Sequence, residues 1–115
     1  MYKNEKTYEE RCEESRLMLT RFSDRIPVIV ERKKLETPCI DKRKFMAPKT
    51  LTIGQLIFVV RRRLRIQPEQ AIFLFVKNSL VVQHMTIEDV YERYKDDDGF
   101  VYISYDFETT FGESP

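Results

Sequence analysis

Few residues in this 115-residue chain could do chemistry, and spacing tests each group. Asp96-Asp97-Asp98-Gly99 has the composition of a calcium loop. With Gly99 as loop position 6, though, positions 1 and 12 of an EF-hand fall on Tyr94 and Tyr105, which offer no carboxylate. A solvated turn is expected there instead. Arg61-Arg62-Arg63 with Arg65 could grip phosphates. No glycine-rich loop or repeated basic face accompanies them, so they are expected to cap a helix and pair with the acidic second half. Cys12 and Cys39 stand at no metal-ligand spacing to each other or to His84, the only histidine. No phosphate-loop, dinucleotide or Ser-His-Asp pattern is present. The expectation is therefore free cysteines, no metal, no cofactor, no nucleic-acid partner and no enzymatic activity.

Two further features concern binding and modification. Around Lys44-Phe45-Met46-Ala47, period-two alternation puts Lys44 and Met46 on one strand face and Phe45 and Ala47 on the other. Pro48 then stops the strand, as befits a sheet edge with free backbone donors and acceptors. Such an edge either accepts an extended peptide as an added strand, with side-chain pockets on both faces, or simply packs; alternation alone leaves both open. Near the C-terminus, Gly112 could thread a narrow enzyme channel because it has no Cβ to clash. A frayed terminus is the other reading.

Elements to position these residues follow from caps and periodicity. Thr7-Tyr8-Glu9-Glu10 is a capping box opening a helix to about Phe22, its stripe made of Tyr8, Cys12, Leu19 and Phe22, widened by Leu17 and Met18. Residues 1–6 are polar and loosely specified. Ile26 to Glu31 reads as a strand whose early Pro27 suits a first or edge position, and Asp41 to Ala47 as a second. Thr52-Ile53-Gly54-Gln55 opens a helix carrying Ile53, Leu56, Ile57, Val60 and Leu64 at helical spacing. Ala71 to Val76 reads as a buried strand, Leu80 to Val82 as a short one after the turn Lys77-Asn78-Ser79, and Phe100 to Tyr105 as a last strand after a helix opened by Thr86. A helix followed by β-β-α-β-β-α-β is the α+β order of a ubiquitin-like β-grasp, a mixed four-stranded sheet on helices with additional N-terminal helices. The longest wholly apolar run, Ala71 to Val76, is too short to span a membrane, and the N-terminus lacks the apolar core of a signal peptide. The expected address is the cytoplasm.

Net charge is +1, but it is polarised. Residues 1–65 hold 17 Lys and Arg against 9 Asp and Glu, a balance of +8, while residues 66–115 hold 3 against 10, a balance of −7. Such a chain suits oriented contacts with partners bearing the opposite charge.

Six ordered blocks carry a resemblance: Asp24 to Ile29, Ile40 to Phe45, Leu51 to Gln55, Ala71 to Val76, Lys95 to Phe100 and Thr110-Phe111-Gly112. Together they resemble the autophagy-related protein eight family of ubiquitin-like modifiers, which includes the GABA type A receptor-associated proteins. The resemblance covers about Tyr8 to Gly112. It implies a helical extension at 1–24, a β-grasp domain at 25–106, and a flexible tail at 107–115 with cleavage and conjugation at Phe111-Gly112. It implies trimming by a cysteine protease, activation by E1-like and E2-like enzymes, and joining to phosphatidylethanolamine on autophagosomal membranes. It also implies recruitment of cargo receptors with W-x-x-L-type peptides through two pockets. One pocket is Glu14, Met18, Pro27, Ile29, Lys44, Met46 and Phe100; the other is Phe45, Ala47, Pro48, Leu51, Leu56 and Val59. Departures from the family pattern are Asp106-Phe107 where Ser-Gly is common, Val81-Val82 for Pro-Pro, and Met46 and Ala47 for Leu and Val. The competing reading is a non-conjugated β-grasp domain assembling by charge, as in Phox and Bem1-type domains.

Overall fold

Three threonines start three of the four helices by one device. The hydroxyls of Thr7, Thr52 and Thr86 accept from the backbone N–H of Glu10, Gln55 and Asp89, whose side chains accept from the threonine N–H in return. Each box satisfies two donors that the helix start would otherwise leave unpaired. In the computed structural model, which describes residues 1–109, the elements are α1 (Tyr2–Glu5), α2 (Tyr8–Arg21), β1 (Arg25–Arg32), β2 (Lys44–Pro48), α3 (Ile53–Leu64), β3 (Phe73–Val76), β4 (Ser79–Leu80), α4 (Ile87–Tyr94) and β5 (Val101–Asp106).

The strands form one sheet in the order β2-β1-β5-β3-β4, with β1 and β5 parallel at its centre and the other pairs antiparallel. Alternation on β5 sends Val101, Ile103 and Tyr105 to one face, where they meet Ile53, Leu56 and Val60 of α3 in the main core. β1 is buried on both faces. Ile26, Val28 and Val30 join that core, while Ile29 points the other way and packs with Phe100, Tyr2 of α1 and Met18 of α2. The mixed sheet between helices is the ubiquitin-like arrangement that the element order implies. It has five strands and not four, because the two-residue β4 pairs with β3. Lys77 (φ 51°) and Asn78 (φ 66°) form a left-handed two-residue turn that fits the strand twist and starts β4 at Ser79, ahead of the expected Leu80.

Several expectations are corrected. Residues 1–6 are specified after all: they include α1, and Tyr2 is 4% exposed. The buried face of α2 is Arg11 and Ser15, while Tyr8, Leu17 and Phe22 of the apolar stripe are exposed. A buried guanidinium is tolerable because a carboxylate, described below, meets it. β1 is an interior strand despite Pro27. Val30 N–H donates to Arg43 O (2.7 Å) on the β2 side, so alternation turns the nitrogen of Pro27 towards β5, whose register with β1 begins only at Val28. β2 starts at Lys44 and not Asp41, and β3 at Phe73, with Ala71 exposed.

Candidate functional site

β2 is an edge strand, and its five residues bring together both sets of residues that the resemblance names. On the face towards α2, the Lys44 ammonium pairs with one oxygen of Glu14, whose other oxygen accepts from the Tyr2 hydroxyl. Lys6 Nζ lies 3.6 Å from that second oxygen. Beneath them Ile29 and Phe100 are fully buried and Met18 packs against both. Pro27 is buried beside Met46, its register partner. Burial alone would raise the Glu14 pKa, but the bonds from Lys44 and Tyr2 outweigh it and hold the carboxyl below its ordinary value. Burial, then Glu14, pushes the Tyr2 hydroxyl up, so it stays a donor. The result is an apolar floor under a charged rim, with Lys44 placed to meet acidic groups on a ligand.

Tyr2 is the residue that spacing missed. Its ring meets Phe100 edge-on, with centroids 5.7 Å apart and planes at 70°, and its backbone N–H donates to Glu31 Oε2 at 2.6 Å. The available signal was one large aromatic in an otherwise polar six-residue start.

On the opposite face, Ala47 and Leu56 are buried and form a floor, Phe45 and Leu51 are half-buried against the core, and Val59 lies exposed at the rim. Pro48, exposed at the end of β2, falls by alternation on the side of Lys44 and Met46 and not in this pocket as the resemblance implied. Lys42 Nζ (5.1 Å) and Arg63 Cζ (5.8 Å) lie over the Phe45 ring. Val59 also lines a cleft of about 380 Å³ with Asp41, Arg62, Arg63 and Arg65. Arg63 pairs with Asp41 of the first half (3.5 Å) and Arg61 donates to Gln67 O (3.4 Å), in place of the expected pairing with acidic residues of the second half. These cations stand beside the second pocket instead.

The acidic turn is solvated only in part: Asp97 is exposed and Asp96 half-buried, but Asp98 turns inward. Asp98 is 2% exposed; its Oδ2 accepts from Arg11 Nε (2.8 Å) and the Tyr102 hydroxyl, and its Oδ1 from Phe100 N–H (2.9 Å). The Ser15 hydroxyl donates to Asp98 O, and Lys3 pairs with Asp96 at 2.6 Å. The turn fastens α1 and α2 to the sheet, which sets Glu14 and Met18 above Ile29. Among the described residues no group of three His, Cys, Asp or Glu could hold a metal. Phe111 and Gly112 lie outside the described residues.

A family model described as autophagy protein Atg8, ubiquitin like, matches residues 10–112. The chain belongs to the Atg8 family. Autophagy-related protein 8d of Arabidopsis thaliana is 46% identical over 112 residues, covering 96% of this chain and 93% of that relative. Autophagy-related protein 8 of Mycosarcoma maydis is 42% identical over 113 residues, covering 97% and 96%. The crystal structure of Trypanosoma brucei ATG8 superposes with a TM-score of 0.88 at 35% identity, covering 96% of this chain and 97% of that one. This Atg8-family chain is thus a ubiquitin-like autophagy protein, and among its described residues no helix is long and apolar enough to cross a membrane.

Proposed function

We propose that this chain is a membrane-conjugated modifier and receptor adaptor of autophagy. A cysteine protease hydrolyses the chain after Gly112, releasing Glu113-Ser114-Pro115. An E1-like enzyme activates the freed carboxylate with ATP as an acyl adenylate, and its thiol displaces AMP to form a thioester. The acyl group passes to the thiol of an E2-like enzyme. The amine of phosphatidylethanolamine then displaces the thiol, forming an amide. The chain is a substrate of this machinery and not an enzyme. Glycine suits each transfer because it presents no Cβ. Two acyl chains give a stable anchor where one would be marginal, so a cytoplasmic protein comes to the autophagosome membrane without an apolar span.

The observation that carries the receptor half is the β2 edge with a floored pocket on each face. In an extended peptide, residues separated by an odd number point to opposite faces. The anchors of W-x-x-L are three apart, so a peptide added alongside β2 delivers one anchor to each pocket while its backbone bonds to the free edge. Lys44 on one side and Lys42 and Arg63 on the other favour acidic residues next to the anchors. The polarised charge is partly used inside the fold: Lys3–Asp96, Arg11–Asp98 and Lys34–Asp106 each join the basic half to the acidic half. That supports the modifier reading over assembly by charge.

The test is intact mass and membrane partitioning in starved eukaryotic cells, with Gly112→Ala as control. The expected result is a species ending at Gly112 and a heavier, phosphatidylethanolamine-bearing one in the membrane fraction, with the variant soluble. Membrane-bound Gly112→Ala protein would refute the conjugation.

A further inference from the structure

We propose that Lys34, Thr37 and Asp106 form a clasp that fixes where the C-terminal segment leaves the body, making Lys34 and Asp106 positioning residues for cleavage after Gly112. The inference rests on the reading that the segment is trimmed there. Asp106 ends β5 and is 3% exposed. Its Oδ1 accepts from the Thr37 hydroxyl (3.2 Å) and from Phe107 N–H (2.7 Å). Its Oδ2 is buried with no hydrogen-bond partner, and Lys34 Nζ lies 3.4 Å away. The same ammonium pairs with Glu108 Oε1 at 2.8 Å. One cation therefore bridges the last strand residue and the second residue beyond it.

The loop that supplies these partners is itself pinned. Arg32 Nη1 donates to Leu35 O (2.8 Å) and Thr37 O (3.3 Å), and Thr37 N–H donates to Lys34 O (3.1 Å). Lys33 N–H bonds Tyr105 O (2.9 Å), and the Tyr105 hydroxyl donates to Pro38 O. A buried carboxylate is unfavourable unless it is paired. Asp106 therefore commits the end of β5 to the loop that carries Lys34 and Thr37. With Glu108 held, Gly112 stands four residues on, a reach of at most about 14 Å. Phe107 and Glu108 are then already ordered when an enzyme takes the segment. Lys34 holds Glu108 directly, and ordering one residue in advance corresponds to roughly tenfold in binding.

The test uses the full 115-residue chain, a recombinant cysteine protease that trims Atg8-family proteins, and amide exchange at Phe107. Lys34→Ala removes the half-buried cation that pairs with Asp106, so its fold is checked by thermal denaturation beside the kinetics. It is expected to raise KM for cleavage about tenfold, keep kcat within about twofold and speed Phe107 exchange, with Lys34→Arg restoring both values. Faster exchange with unchanged KM would show a clasp that positions nothing, and unchanged exchange would show no clasp; either result overturns the proposal. Failure of the protease to cut the unsubstituted chain would instead refute the trimming reading, and the positioning role with it, whatever the exchange rates show.

Discussion

Gly99→Ala probes how the acidic turn holds α2 against the sheet. Gly99 has φ +95°, a region that L side chains rarely adopt, and a Cβ built there lies 2.4 Å from Ser15 Oγ and 3.1 Å from Ser15 Cβ. Backbone strain costs about 1–2 kcal/mol. Forcing a methyl against packed atoms adds about 1–3 kcal/mol. The lower entropy of alanine in the unfolded chain offsets about 0.4–1 kcal/mol. The net is a loss of about 1–5 kcal/mol, against a typical domain's stability of about 5–15 kcal/mol. With a urea slope of about 2 kcal/mol per molar, the unfolding midpoint should fall by about 0.5–2.5 M. Ser15→Ala removes the nearer atom and leaves the backbone strain. In the double mutant it should recover the steric share, a coupling of about 1–3 kcal/mol. A midpoint shift for Gly99→Ala below about 0.3 M, or full additivity of the two substitutions, would refute the close approach of turn and helix. Because Glu14 immediately precedes Ser15 on α2, the single variant should also weaken W-x-x-L peptide binding.

Other outcomes follow from the same contacts. The pKa values of Glu5 (through Arg43), Glu14 and Asp96 are all lowered, the last two against burial through Lys44 and Tyr2 and through Lys3 respectively. Their contribution is therefore complete above the ordinary values of 4.5 and 3.8 and is lost as pH falls through the depressed ones, so α1 should undock in acid, read by exchange at the Tyr2 amide. At the alkaline end, burial raises Tyr2 and Tyr102 and pushes the Tyr105 hydroxyl up to about 12. Stability should decline as pH rises above the unfolded value of 10.0, with Tyr2, Tyr102 and Tyr105 yielding phenolate absorbance only late or on unfolding. Val59→Asp at the exposed rim should weaken peptide binding at least tenfold with an unchanged melting temperature. Leu56→Ala, from a residue 2% exposed, should cost about 2–5 kcal/mol by denaturation, so its binding loss would not isolate the pocket.

The elements were legible where the signal is local. The helix starts at Thr7, Thr52 and Thr86, the apolar spacing of α3 and the alternation of β2 each depend on neighbours in sequence, and each reappears in the fold. The two-faced placement of Lys44 with Met46 and Phe45 with Ala47 is likewise a consequence of period two alone. What failed were inferences needing distant partners. Tyr8, Leu17 and Phe22 formed the more apolar stripe of α2, yet Arg11 and Ser15 are buried, because Asp98 lies 87 residues beyond Arg11 and meets its guanidinium. The acidic turn looked solvated for the same reason: nothing near it in sequence announces Arg11, Lys3 or Ser15.

Pro27 shows the division most plainly. Its missing N–H is visible in the sequence and excludes one ladder bond, but where that gap falls depends on the register between β1 and β5, which begins one residue later. Tyr2 is similar, since an aromatic at the second position acquires meaning only when Ile29 and Phe100 form a floor for it. The sequence by itself determined the helix starts, the strand faces and the family through its ordered blocks. Only the tertiary structure decided which charges are buried and what covers the outer face of the sheet. Burying a charge is favourable only beside its partner, and that partner comes from elsewhere in the chain.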